Sequence, residues 1–243
     1  MNNIIYELSI YSIDFSDKLI TKLASPTLDK ISITNKQLHT PIVEIIKKIQ
    51  VINPNLKIIP YHSFKYHQKA SLQDTAHSLI KKLGEYQNIN IKEILLISGS
   101  PKPRYNTIPV LDILATIYTI HQYPQIAIAY NPFLTGVDLE IENQAIKNKL
   151  KSGIISSVYL QIGIDLPIIQ KSVKYLRALQ PNLDIYLSLM NPATSRLAQF
   201  RYRPWKGVYL PEEYLQSPQY ALNINNSIYQ LAQTMQLGVI QGD

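Results

Sequence analysis

Two rhythms of apolar residues alternate along this chain. Short runs with apolar residues at both parities predict strands covered on both faces. They fall at Ile4–Ile10, Lys30–Thr34, Leu56–His62, Glu93–Ser98, Gln125–Tyr130, Ile154–Gln161 and Leu183–Leu189. Segments with helical spacing separate them: Asp14–Ala24, Thr40–Ile52, Ser71–Tyr86, Thr107–His121, Asp138–Leu150 and Asp165–Leu179. Asp14, Thr40, Ser71, Asp138 and Asp165 are suited to N-caps, because a short polar side chain can accept from the first free helical amides. Regular alternation without a Pro/Gly-rich linker predicts a single α/β domain over residues 1–243, built on a parallel sheet. The repeat count favours a closed (β/α)8 TIM barrel over an open sheet.

The last third is less regular. Thr194–Arg201 and Glu212–Leu215 predict short helices, and Tyr220–Leu237 a long one. Val239–Gln241 is a candidate eighth strand with no sequence left for a helix behind it, so the barrel is expected to be trimmed at the C-terminus, its final helix missing. Lys206–Leu210 is the alternative eighth strand. Apolar strand surface needs cover. Either the long helix or a partner subunit in a homo-oligomer is expected to supply it.

The segment around Gly153 is the most informative. A helix ending in basic residues stops at Lys151-Ser152-Gly153, where a left-handed C-terminal glycine is expected. A buried strand follows, with Gln161 at its C-terminal end, where barrels and open α/β sheets place ligand chemistry. Parity adds a second candidate. On the first strand Ile4, Tyr6, Leu8 and Ile10 share one side, and Ile5, Glu7 and Ser9 share the other, which is the better match to a barrel interior. A carboxylate among apolar neighbours must be paired or protonated. Glu7 is therefore a candidate general acid; a strand-end glutamate facing solvent, or one bound to a lysine, is the equal alternative. Ser98 and Ser100 share a side on the fourth strand, as do Tyr159 and Gln161 on the sixth.

Composition narrows the classes. The chain is 46% hydrophobic and 17% charged, enough to bury a core, and no apolar run reaches membrane-spanning length. No signal-peptide pattern opens it, so a cytoplasmic location and no membrane partner are expected. The absence of cysteine excludes disulfides, thiolate metal sites and thiol nucleophiles. A net charge of +7 spreads over helix faces rather than forming a nucleic-acid stripe, so no nucleic-acid partner is expected. Arg201-Tyr202-Arg203-Pro204-Trp205 interleaves cations and aromatics but reads as a loop lid beside a barrel mouth. His39, His62, His67, His77 and His121 show no metal spacing on one element, and no metal site is predicted.

With these elements in place, the chain resembles a divergent, shortened member of the methylenetetrahydrofolate reductase family, whose fold is a (β/α)8 barrel that binds FAD. Ile5-Tyr6-Glu7-Leu8 resembles that family's first strand, and Ser32-Ile33-Thr34 its second. Ala127-Ile128-Ala129-Tyr130 resembles the fifth, Lys149 through Asp165 the Lys…Gly…Gln…Asp segment, and Val208-Tyr209-Leu210-Pro211 the turn before the last helix. The last match assigns the eighth strand to Val239–Gln241.

The resemblance implies an oxidoreductase of one-carbon metabolism. It would pass hydride from NAD(P)H through FAD to methylenetetrahydrofolate, giving methyltetrahydrofolate. Glu7 would be the catalytic acid and Gln161 would bind the folate. Thr34, Ser98, Ser100, Tyr130, Glu142 and Lys149 would hold the flavin. Ser98 and Ser100 stand where the family has an Arg and an Asp. The missing charges imply that FAD binding is weak or absent. A non-catalytic or regulatory barrel that kept the fold and lost its flavin is the alternative.

Overall fold

The structure is a computed structural model that describes residues 4–10, 13–34, 41–67, 69–97, 104–118 and 123–242. Its strands are β1 (Ile4–Ser9), β2 (Lys30–Thr34), β3 (Lys57–Ser63), β4 (Glu93–Ile97), β5 (Gln125–Tyr130), β6 (Ile155–Leu160), β7 (Asp184–Leu189) and β8 (Gly238–Gly242). They form a closed barrel in chain order, and every recorded pairing is parallel. The helices are α1 (Asp17–Leu23), α2 (Ile42–Ile52), α3 (Leu72–Asn88), α4 (Arg104–Tyr118), α5 (Gly136–Leu150), α6 (Leu166–Leu179), α7 (Thr194–Tyr202), α8 (Glu212–Gln216) and α9 (Pro218–Thr234). The fold is a (β/α)8 TIM barrel, as the alternation predicts. Among the described residues no helix is long and apolar enough to cross a membrane.

Local chemistry sets several boundaries. Asp165 accepts from the Ile168 amide at 2.9 Å and Pro167 follows in the first turn, where a missing N–H costs nothing. Ser71 caps α3 by accepting from the Asp74 amide at 3.0 Å. Two expected caps differ. Ser16 is the residue that opens α1, while Asp14 accepts from the Ser16 amide at 3.0 Å and so shapes the preceding turn. Helix α5 begins at Gly136, placing Asp138 inside its first turn, where its charge suits the helix dipole. Thr40 lies outside the described residues. Gly153 has φ +73°, the left-handed stop expected after α5.

The eighth strand is Gly238–Gly242, and the segment Lys206–Leu210 contains no strand. Helix α9 precedes β8 in the chain. The Tyr229 hydroxyl of α9 donates to Gln241 Oε1 at 2.9 Å, so this helix lies against the outer side of β8.

Two compact units are distinguished within the chain. One comprises Tyr6–Ile128 and Asn148–Ser156; the other comprises Met1–Ile5, Ala129–Lys147 and Ser157–Asp243. In the first, the register runs Glu7↔Ser32↔Ile59 across β1–β3 and Tyr61↔Leu95↔Ala127 across β3–β5. Residues of the opposite parity meet helices. Lys22 of α1 lies 5.0 Å from the Tyr6 ring centroid, and Tyr86 of α3 meets His62. Glu7, Ser32, Ile59 and Tyr61 therefore face inward. Ile46, Ile49, Leu79 and Leu83 from α2 and α3 are fully buried on the outer side.

In the second unit Gln241 faces α9, and Leu189 pairs with it in register. The alternate positions Tyr159, Tyr186 and Gly238, matched in register, face inward. The rings of Tyr159 and Tyr186 stack with centroids 4.7 Å apart. A β-carbon at Gly238 would collide with the Tyr186 ring where it stands, so glycine at this position leaves room for that ring. Behind the strands, Tyr214 of α8 donates to Asn225 Oδ1 at 2.9 Å, and Asn225 Nδ2 donates to the Met190 carbonyl at 3.0 Å.

Candidate functional site

The inner face of β1–β3 changes character along its length. Ile59 is apolar, and Leu95 and Ala127 continue that character on β4 and β5. Towards the C-terminal strand ends the inward positions are Glu7 and Ser9, Ser32 and Thr34, Tyr61 and Ser63. Barrel interiors are ordinarily filled by branched apolar side chains. A wall of hydroxyls around a carboxylate, at the end where barrels place their ligands, marks this region as the candidate site.

Glu7 is its centre. The Tyr61 hydroxyl donates to Glu7 Oε2 at 2.6 Å, reaching across β2 from β3. Glu7 is thus an inward-facing carboxylate bonded to a phenol. Tyr61 itself is missed by sequence reading, although the parity argument used on the first strand would have turned it inward on the third. Thr34 Oγ1 donates to the Leu8 carbonyl at 3.4 Å. Ser98 and Ser100 lie outside the described residues. Lys149, also in this unit, is half-buried near the end of α5.

The remaining predicted residues belong to the other unit. Gln161 follows β6 on the parity of Tyr159. Its backbone N–H donates to the Tyr130 carbonyl at 2.8 Å, and its Oε1 accepts from the Ile162 amide at 3.0 Å. Its Nε2 makes no hydrogen bond among the described residues. Tyr130 is buried, and its hydroxyl donates to Asn143 Oδ1 at 2.6 Å. Burial, reinforced by Tyr175 and Glu142, pushes the Tyr130 phenol up to about 12, so it remains a donor. Glu142 Oε1 accepts from the Asn131 amide at 3.0 Å. Asn131 Nδ2 in turn donates to the Gly207 carbonyl at 2.8 Å. This bond ties the loop after α7 to the residue following β5; of the segment Arg201–Trp205 expected as a loop, Arg201 and Tyr202 instead end α7. Phe200 of α7 and Trp205 of that loop meet edge to face, and Arg201 of α7 pairs with Glu212 of α8.

Tyr130, Glu142 and Thr34 each spend a polar atom on the fold's own hydrogen bonds.

A second polar cluster lies outside the barrel wall. His62 on β3 and His67 on the following 3-10 turn (Phe64–His67) share a hydrogen bond between their Nε2 atoms. His67 Nδ1 pairs with Ser78 Oγ at 2.9 Å, and His62 Nδ1 with the Tyr86 hydroxyl at 3.4 Å. Burial foremost, then the nearby positive charges, hold His62 down to about 3 and His67 to about 4, so both rings are neutral. Both rings are bonded to side chains of α3 and to each other. Their pairing across a strand end left no periodic signal. His77 is exposed on α3, and His39 and His121 lie outside the described residues. Among the described residues no group of three or more His, Asp or Glu side chains could hold a metal.

No protein-family model matches the chain, and no curated protein matches it in sequence. Solved structures do match in shape. The catalytic domain of the hyperthermophilic chitinase from Pyrococcus furiosus superposes with a TM-score of 0.59 at 11% identity, covering 100% of this chain and 84% of that one. The Bacillus cereus spore cortex-lytic enzyme SleL gives 0.59 at 12%, covering 99% and 70%. A Clostridium thermocellum protein that binds two copies of 5-methyl-5,6,7,8-tetrahydrofolic acid gives 0.59 at 12%, covering 99% and 88%. These are hydrolases and a folate binder on one architecture. At such identities the likeness is to the TIM-barrel fold alone.

Proposed function

We propose that this barrel binds a reduced folate against the inner face of β1–β3 and that Glu7 exchanges a proton with it. The observation that carries the reading is the 2.6 Å bond from Tyr61 to Glu7 on an inward, hydroxyl-rich wall. A carboxylate held by a phenol is oriented, and a carboxyl group on an inward wall is chemically suited to proton exchange. The ligand class comes from the resemblance of the Glu7, Thr34, Tyr130 and Lys149–Asp165 segments to methylenetetrahydrofolate reductases, and from the folate-binding neighbour of the same fold. In the reductase reaction Glu7 would supply the proton taken up as the pterin's bridging ring opens.

A second reading is a folate-binding barrel without redox activity. It is favoured by the internal commitment of Tyr130 and Glu142. One experiment separates the two. Calorimetric titration with 5-methyltetrahydrofolate tests binding, and NAD(P)H oxidation with methylenetetrahydrofolate, with and without added FAD, tests turnover. Binding with turnover supports the reductase. Binding without turnover at saturating FAD supports the second reading. No binding removes both.

A further inference from the structure

Buried hydroxyls in this protein are ordinarily bonded. Thr75 Oγ1 donates to the Ser71 carbonyl at 2.8 Å, and Ser172 Oγ to the Ile168 carbonyl at 2.7 Å. Ser32 and Ser63 differ. They are 0% and 4% exposed, yet neither Oγ has a hydrogen-bond partner among the described residues. Both face inward on the wall that carries Glu7 and Tyr61. Ser32 is the direct register partner of Glu7 and lies on the strand that the Glu7–Tyr61 bond spans. Ser63 ends β3, four positions beyond Ile59, the register partner of Ser32. That separation is roughly 13 Å along the strand.

An unbonded buried hydroxyl is unfavourable by itself, and two on one ligand-facing wall call for a common cause. We infer that Ser32 and Ser63 are ligand-recognition residues. Each completes its hydrogen bonding only when a polar ligand lies on the inner face. Resting on the proposed function, this inference adds how the folate is read. Ser32, beside Glu7, meets the inner edge of the fused heterocycle, whose amide and amino groups match a hydroxyl that both donates and accepts. Ser63, at the strand end, meets a polar group on the outer part of the same ligand. Selection is for a ligand bearing hydrogen-bonding groups at both depths, because an apolar one would seal the two hydroxyls unbonded.

The test uses Ser32→Ala, Ser63→Ala and the double variant in the full chain. Each is measured for thermal midpoint without ligand and for affinity toward 5-methyltetrahydrofolate. Removing an unbonded hydroxyl should leave the midpoint unchanged or raised. Affinity should fall about tenfold for each serine. A lowered midpoint in both single variants would show the hydroxyls to be structural and overturn the inference. Wild-type binding that survives in the double variant within about twofold would overturn it too, leaving the proposed function intact. A wild-type chain that does not bind the folate overturns the proposed function and this inference with it.

Discussion

The Tyr61 hydroxyl on β3 donates to Glu7 Oε2 on β1 at 2.6 Å, with β2 lying between them. Three strands are thus linked through one side-chain bond on their inner face. A hydrogen bond to a charged acceptor contributes about 1.5–3 kcal/mol when shielded from water, less when partly exposed. Tyr61→Phe is therefore expected to lower the unfolding free energy by about 1–2 kcal/mol. Urea denaturation of the two proteins, compared at equal slope, checks this.

Glu7→Gln keeps the size of the side chain and an acceptor for Tyr61 but removes the titrating proton. If Glu7 transfers that proton, turnover falls by about a hundredfold or more while affinity for the reduced folate changes little. Steady-state kinetics beside calorimetry separate the effects. Equal loss in both would assign Glu7 to binding alone.

The paired histidines predict acid sensitivity. Unfolded histidine titrates near 6.5. In the folded chain burial, together with nearby positive charge, holds His62 at about 3 and His67 at about 4. Between those values and about 6.5 the unfolded chain binds protons that the folded one refuses, so unfolding becomes easier as pH falls. Their contribution is fully present above about 6.5 and is lost progressively towards pH 4, at up to about 1.4 kcal/mol per unit for each ring. Denaturation between pH 4.5 and 7.5 should show this slope. A His62→Gln, His67→Gln double variant should flatten it.

Gly238 is predicted to be the least replaceable glycine in β8. Gly238→Ala would drive a β-carbon into the Tyr186 ring, and overpacking of this kind typically costs about 1–3 kcal/mol. Gly242→Ala is the control, since its β-carbon would have the Leu189 carbonyl oxygen as nearest neighbour at 4.0 Å. Thermal unfolding should separate the two variants clearly. Equal midpoints would mean that the stacked tyrosines shift freely.

Flavin binding is expected to be weak. Tyr130 and Glu142 are engaged within the fold, and serines occupy the two charged positions of the family pattern. Each missing charge-assisted contact weakens binding by about tenfold to a hundredfold. The purified chain should be colourless, with FAD titrating weakly by fluorescence. Tight stoichiometric flavin would show that other residues compensate.

The alternation of elements was legible because both faces of a parallel strand are covered, which forces apolar runs between amphipathic helices. The N-caps at Ser71 and Asp165 and the stop at Gly153 were legible because capping needs only local backbone and one side chain. Glu7 was flagged for the same local reason, a carboxylate in an apolar strand. Asp14 and Asp138 were misplaced by two or three residues, since several nearby groups can satisfy the same helix end.

What the sequence determined alone is therefore the order and type of the elements, and with them the barrel. The tertiary structure decided which side chains meet. Tyr61 is 54 residues from Glu7, and no periodic signal connects them. His62 and His67 join across a strand end, and Tyr186 takes its space from a glycine on the next strand. Closure also decided that Ser32 and Ser63 are buried without hydrogen-bond partners among the described residues. Periodicity records which way a residue faces relative to its own element, while pairing depends on the register between strands, a property of the closed barrel that no single segment carries.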